Sequence, residues 1–589
     1  MKQAMSAKRI LYTVCFFWLC LIDQRIKTST GIDGWGEVFR DSLGIVISII
    51  VLSHYNPEDL FKRKWVGLGA VIFGVLCGII TYIAGIEKRY YVNSRITITV
   101  VISLATFAAF ITIATVFLEK RLPQFNKGFT MLLLAMFVWM IISRSTYIWP
   151  LAYLIIFGML YLTDFTESEE NALFYGLLDG LIAAFILFQG FCLVFRPYDC
   201  PDCRYVGIHS NSNQNSIFYL EVLASVFTRI ALAYRSKSVR GVKTFWWLAC
   251  GVVYSFIFLT IGRTAWLLGF IMGVLFLIFM NSFNEDKQSG KSGHFYGIRR
   301  FFLNGLVILL SFVITFPVTF YFVRYVPSLF HHPIWFWGEW NEEKVHSFDP
   351  WDSPYYVDLD EFLEAALGRI VGSVTNFKEH SLFAENSETE NLLDAETIVE
   401  NGSVDAAEGT ITESGSGDAA AETNIESGSG DAAAETNIES EPVDTADPRV
   451  EAAVLTNEQG GDSLLVRSTI YSHYARELNL FGHPYSEQGF QLTPTYWIGH
   501  AHNIYLQYGT DFGIPVMVML IGLTIWSALI FLKRVLKGKS IEDMMFLFVL
   551  MIPSIFGLLE FSWGVGSVST SLLFIVWRWA AVRKNNCGN

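Results

Sequence analysis

Fourteen apolar segments recur along this chain of 589 residues, and they limit what it can fold into more than any other feature. They run at about 10–22, 38–55, 65–85, 96–118, 128–148, 150–163, 172–195, 215–234, 244–262, 264–283, 301–325, 512–532, 543–562 and 565–582. Most reach the ~20 apolar residues that cross a bilayer core, while the first and sixth are short. The predicted fold class is therefore all-α: a polytopic membrane protein with 12–14 transmembrane helices. One large extracytoplasmic loop is expected to hold further helices and a disordered acidic insert. Only 16% of residues are charged and 52% are hydrophobic, against about 25% charged in soluble domains.

Lys8 and Arg9 precede the first apolar run, and no small-residue cleavage site follows it, so an uncleaved first span is expected. An even number of spans places both termini on one side. Tails and loops on that side carry Lys62-Arg63-Lys64, Lys120-Arg121, Arg235 to Lys243, Lys287 to Arg300, Lys533 to Lys539 and Arg583-Lys584. This excess marks the cytoplasmic face. The Gly262-Arg263 turn, the loop around Cys200 and everything from Pro327 to His502 then lie outside together.

The net charge of −13 belongs to one stretch. Between Phe383 and Pro448 there are 18 acidic residues and no Lys or Arg, so the rest of the chain is net positive. No basic surface suited to nucleic acid is present, and no nucleic-acid partner is expected. Composition divides the chain into a bundle (1–326), an aromatic-rich outer part (327–383), the acidic insert (384–460), a helical lid (461–511) and C-terminal spans (512–589). Trp335, Trp337, Trp340 and Trp351 belong to the aromatic part, where such rings either stack on sugars or anchor at the interface. Asp358 to Leu367 reads as a short amphipathic helix. The sequence Glu-Ser-Gly-Ser-Gly-Asp-Ala-Ala-Ala-Glu-Thr-Asn-Ile begins at Glu413 and repeats at Glu426, and so small and acidic a repeat cannot bury a core. Periodicity returns at Leu464 to Leu480.

Five of the eight cysteines lie in or beside predicted spans. Cys200-Pro-Asp-Cys203 is either a disulfide on an oxidising face or two free thiols; zinc needs four ligands and no second pair is in view. His500 and His502 are the close histidine pair and lack neighbouring carboxylates, so no metal and no cofactor are expected.

The stretch His502 to Val516 joins the outer region to an apolar helix ending at Lys533-Arg534. From Ala501 to Leu532 the chain would extend about 48 Å as helix, more than a bilayer core needs. Pro515, suited to a first helical turn, divides a surface helix capped by His502 from a span beginning near Pro515. These residues resemble the signature of the O-antigen ligase and O-antigen polymerase superfamily: His, then Asn, Ser or Gln, nine residues, Gly, two residues, Gly. His502, Asn503 and Gly513 fit, Asp511 stands where the family often has Glu, and Val516 takes the place of the final Gly.

Three other stretches are similar to the family's patterns. Thr260-Ile261-Gly262-Arg263 resembles its Thr-x-Ser-Arg turn; an arginine beside hydrocarbon costs a few kcal/mol unless paired, so Arg263 is either functional or a snorkelling interfacial cation. Arg467, opening Arg-Ser-Thr-Ile-Tyr, resembles the start of the family's outer helix; the alternative is a solvated arginine. Gly207-Ile-His-Ser-Asn-Ser-Asn resembles Gly-x-x-x-Asn-Pro-Asn, with Asn211 and Asn213 as candidates and plain helix capping as the alternative. Arg144, at the outer end of the fifth span, is a further arginine that the resemblance does not settle.

The resemblance covers about 172 to 532 with 384–460 inserted. It implies a glycosyltransferase of a bacterial cytoplasmic membrane, with a helical lid over a lipid-facing cavity and both termini cytoplasmic. A polyprenyl-diphosphate-linked glycan would be the donor, and a glycan, lipid or wall hydroxyl the acceptor. Arg263 and Arg467 would hold the diphosphate and His502 would take the acceptor proton, without metal and with inversion. Ligase and polymerase are not separated. The rival class is a flippase for lipid-linked oligosaccharide, whose mark would be internal repeats and mid-membrane charges; mid-span ionisable residues are few, Asp179, Glu221, Arg229, Glu560 and Arg578, and the two halves show no similarity. A non-enzymatic surface sensor is a third reading.

Overall fold

The computed structural model describes residues 6–21, 43–56, 58, 63–87, 92–120, 122–145, 148–195, 204–205, 207–209, 212–283, 294–330, 358–369, 463–484, 489–493, 496–538, 540–558 and 568–582. Each of the fourteen apolar segments contains a helix. In order they are α1 (Ala7–Cys20), α2 (Leu43–Leu52), α3 (Lys64–Glu87), α4 (Val92–Glu119), α5 (Lys127–Ile142), α6 (Ile148–Leu162) and α7 (Glu167–Phe195). There follow α8 (Ser212–Arg235), α9 (Arg240–Leu259), α10 (Arg263–Phe283) and α11 (His294–Tyr325), the last continued by a 3₁₀ turn at Val326–Phe330. Between α11 and the last three helices the chain adds α12 (359–369), α13 (Ser463–Arg476), strands β1 (Phe490–Thr493) and β2 (Tyr496–Ile498), and α14 (Ile504–Phe512). The chain closes with α15 (Ile514–Gly538), α16 (Ile541–Phe556) and α17 (Val568–Ala581).

Eight of these helices, α3, α4, α7, α8, α9, α10, α11 and α15, are long and apolar enough to cross a membrane. The bundle is layered by burial. Every residue of α17 is buried, as is most of α8 and α16, so these three form the centre. The α3–α4 hairpin lies at the edge and turns Leu68, Val71, Ile72, Val75, Leu76 and Ile79 outward. Apolar faces of that extent need hydrocarbon against them, because water would have to hydrate each one.

Charges inside the bundle are partnered. The guanidinium of Arg578, 1% exposed, donates to Glu170 Oε1 at 2.7 Å and to the carbonyls of Leu160 and Thr163. Asp179 accepts from both Arg9 and Arg229, and Glu221 accepts from Ser569 at 3.2 Å. A buried charge without such partners would cost several kcal/mol. Four of the five ionisable residues noted within spans therefore tie helices together; Glu560 lies outside the described residues.

The segment between α13 and α14 departs from expectation in one respect. A wholly helical lid over 461–511 is expected, yet between α13 and α14 the chain forms an antiparallel hairpin, pairing Phe490 with Ile498 and Gln491 with Trp497. Aromatic and branched residues flanking Pro494 suit a short twisted pair better than a helix that the proline would interrupt. The acidic insert 384–460, the aromatic stretch 331–357, and residues 196–203 with both loop cysteines lie outside the described residues. All described residues belong to one compact unit, 1–370 with 463–589.

Candidate functional site

Helix α14 starts one residue later than expected. Asn503, not His502, is its N-cap: the Asn503 Oδ1 accepts from the backbone N–H groups of Tyr505 and Leu506 at 3.0 and 3.1 Å. Asn satisfies two otherwise orphaned donors there, which an imidazole cannot do in that geometry. His502 sits just before the cap with φ +46°, a left-handed conformation costing about 1 kcal/mol for a residue with a Cβ.

Its neighbours hold it there. Ala501 N–H donates to Gln507 Oε1 at 2.7 Å, Asn503 Nδ2 to the Leu558 carbonyl at 3.0 Å, and Ile504 N–H to the Gly557 carbonyl at 2.7 Å. The ring of His502 stands edge-on to that of His500, centroids 4.3 Å apart. A strained residue fixed by bonds on both sides is the pattern that local strain takes at sites of function.

Helix α13 presents one stripe to this loop. Arg467, Tyr471 and Tyr474 follow at i, i+4 and i+7 and so share a face. The Tyr471 hydroxyl lies 3.2 Å from the carbonyl of His502 and 3.1 Å from that of Leu558. Tyr474 is buried, and its ring feels the Asp511 carboxyl of α14. Arg467 lies one turn before Tyr471 on the same face of this helix.

Asp511 has its own tether. Its Oδ1 accepts from Gln507 Nε2 at 2.8 Å, the same Gln507 that holds Ala501. Part of the residue's surface is open, but its carboxyl is enclosed by protein, and this burial pushes its pKa up to about 7 against the opposing pull of Gln507.

Two glycines seal the lid to the bundle. Gly513 separates α14 from α15 at φ +97°, and Gly482 turns the segment after α13 at φ +72°. A Cβ at 513 would overlap the Leu480 carbonyl, and one at 482 the Asp511 carbonyl. Across this seam Ile514 N–H donates to Asn479 O at 2.8 Å and His483 N–H to Thr510 O at 2.9 Å. Val516, in place of the family's final Gly, is buried in the first turn of α15, and the tight turn is made by Gly513 alone. Phe481 stacks on Trp139 at 5.5 Å, and its carbonyl accepts the backbone N–H of Arg144 at 2.9 Å. Arg144 thus meets the lid through its peptide, while its side chain is exposed.

The second arginine arrives from the bundle. Arg263 opens α10, after a turn in which Ile261 is left-handed at φ +48°. Its guanidinium lies within Coulombic reach of those of Arg467 and Arg369. The candidate arginines 263 and 467, far apart along the chain, therefore converge, and Arg369 joins them unforeseen. A helix ending at Leu367 is expected; the described helix runs at least two residues further, to Arg369.

Beside the Arg263 turn, Arg204 donates to the carbonyl of Thr260 at 3.0 Å and to Asn213 Oδ1 at 2.9 Å. Asn213 thus fixes an arginine. Asn211 lies outside the described residues. His209 of the same loop is buried against Phe218, and burial pushes its pKa down to about 3, so its ring stays neutral. Arg204 carries no motif in the sequence that would have marked it. Among the described residues no three His, Cys, Asp or Glu side chains gather at one point.

These elements define a multi-pass membrane protein whose bundle carries, at one end, a latched histidine loop beside a cluster of guanidinium groups. Comparison with protein-family models, with curated proteins and with solved structures finds no match.

Proposed function

We propose that this chain is a membrane glycosyltransferase of the O-antigen ligase or polymerase type, acting on the outer face of a bacterial cytoplasmic membrane. The donor would be a glycan on a polyprenyl diphosphate, and the acceptor a hydroxyl of a glycan, lipid or wall polymer. In this reading 12–14 helices span the bilayer with both termini in the cytoplasm, and the lid of 461–511 covers the site from outside. The observation that carries the proposal is the Tyr471 bond to the backbone carbonyl of His502, which ties the Arg467 helix to the histidine loop, while Arg263 of the bundle lies within Coulombic reach of Arg467.

The chemistry follows from the groups. The acceptor O–H gives its proton to the His502 ring as its oxygen bonds to C1 of the donor sugar. The C1–O bond to phosphate breaks on the opposite side, and the diphosphate leaves with the electron pair. Arg263 and Arg467 receive the charge that develops there, as planar forks matched to phosphate oxygens. Proton removal by a positioned imidazole contributes roughly 10²–10⁴ in rate. Asn503, Asp511 and Gly513 serve by holding the loop.

A transporter reading draws on the buried charges of Asp179 and Arg578, but their partners are bundle residues that knit helices together. Purified protein in detergent, with no membrane to cross, decides between the two when given a polyprenyl-diphosphate glycan and acceptors with and without chelator. Transfer by the parent is expected, a loss of roughly 10²–10⁴ in kcat for His502→Ala with donor binding kept, and weakened donor binding for Arg467→Ala. Parental transfer by both variants would remove the assignment.

A further inference from the structure

Polar side chains recur along α14 at Asn503, Gln507 and Asp511, at i, i+4 and i+8, so that the cap and two helical residues share one face. Gln507, the middle one, is 3% exposed and bonded at both ends of its amide. Its Oε1 accepts the N–H of Ala501 at 2.7 Å, and its Nε2 donates to Asp511 Oδ1 at 2.8 Å. The direction of this tether is fixed by chemistry. A peptide N–H only donates, so the amide oxygen must face Ala501 and the amide nitrogen must then face an acceptor. Asp511 supplies that acceptor whether its carboxyl is ionised or carries a proton on the far oxygen. Ala501 is fully buried, which makes an unsatisfied N–H there costly.

The bond to Ala501 fixes the peptide plane between His500 and Ala501, directly ahead of His502. On the other side the carbonyl of His502 faces the Tyr471 hydroxyl. Holding the backbone on both sides of a left-handed residue limits where its ring can point. We propose that Gln507 is a positioning residue of this site: its amide ties Asp511 to the backbone ahead of His502 and so sets the direction of the imidazole. The kinetic arm of the test rests on the proposed function; the labelling arm does not.

The test reverses donor and acceptor along the tether in the purified full chain, with thermal melting as the check on folding. In Gln507→Glu the introduced carboxyl still accepts from Ala501 but meets the Asp511 carboxyl at its other end. The two share a proton at low pH and repel once both ionise. Among the described residues, Tyr474 of α13 and Tyr508 of α14 are the titratable side chains that feel Asp511, and burial pushes both phenols up, so both stay protonated across the assay range. Against the parent at the same pH, kcat for glycan transfer should fall about tenfold at pH 8.5 and by about twofold at pH 6, with donor KM unchanged. Combining Gln507→Glu with Asp511→Asn lets the introduced amide donate to the introduced carboxylate, and most of the loss at pH 8.5 should be recovered. A lowered melting temperature with parental kcat, or a double variant no better than the single one, overturns the inference. Should either carboxyl variant not fold, Gln507→Met carries the test: about a tenfold loss of kcat is expected at both pH values, and parental kcat overturns the proposal.

The labelling arm needs no substrate. It reads the rate at which diethyl pyrocarbonate modifies His502, followed by peptide mass spectrometry. That rate should change several-fold in Gln507→Glu or Gln507→Met at pH 8.5 and return toward the parent's in the double variant; an unchanged rate overturns the inference. Parental transfer and labelling by the variants remove the role of Gln507 and leave the glycosyltransferase reading standing. Altered labelling in a chain whose parent transfers no glycan does the reverse.

Discussion

The hydroxyl of Tyr471 lies 3.2 Å from the carbonyl oxygen of His502, although the two stand 31 positions apart in the chain. Through this one bond the helix bearing Arg467 reads the position of a histidine held in a left-handed conformation. Tyr471→Phe keeps the ring and removes the hydroxyl that the carbonyls of His502 and Leu558 share. Stability should fall by about 1 kcal/mol, whereas under the proposed reading kcat for glycan transfer should fall roughly tenfold to a hundredfold, because the imidazole loses its register. Steady-state kinetics beside a thermal melt separate the two effects, and a loss of stability with parental kcat would count against the latch.

Gly482→Ala and Gly513→Ala each drive a methyl group into a backbone carbonyl across the lid seam. Each also forces a Cβ onto a positive φ, so no shift of side chains relieves it. Both variants should expose 463–512 to limited proteolysis, with no such change for Gly538→Ala, where space is open.

Asp511 should make stability depend on pH. Burial raises its pKa from 3.8 to about 7, so the folded chain favours the protonated carboxyl. That contribution is fully present below about pH 4 and is lost as pH rises through 7, above which the fold carries an enclosed carboxylate. Asp511→Asn, still able to accept from Gln507, should melt with the parent near pH 4 and above it at pH 8. A constant gap across that range would assign the carboxyl a different state.

Deletion of 384–460 should leave glycan transfer and product length unchanged under the proposed reading, because the perfect acidic repeat offers nothing to bury. Product analysis by gel, parent against deletion, reads this directly.

The helices were legible because a bilayer imposes length and apolarity on each one, and each of the fourteen segments contains a helix. Pro515 marked the break before α15 correctly to within two residues, since proline suits a first turn. Asn503 was legible as the cap from its residue type, since Asn favours that position and His does not, and the helix duly begins at Ile504. Other features escaped because their causes are tertiary. Arg369 lay two residues past the expected end of its helix, and Phe362 anchors that helix to Phe258, a contact formed across more than a hundred residues. Arg204 is a loop arginine until Asn213 and Thr260 are brought to it.

The two glycines at 482 and 513 also restrict how this chain can diverge. Each position abuts the main chain of the other's segment, so neither accepts even a methyl group while its counterpart stays in place. Relatives sharing the architecture should carry glycine at both sites or have rebuilt both together. Position 516, where a valine fills the interior, calls for an apolar side chain of similar volume. That paired requirement offers a stricter criterion for recognising distant kin than the histidine alone.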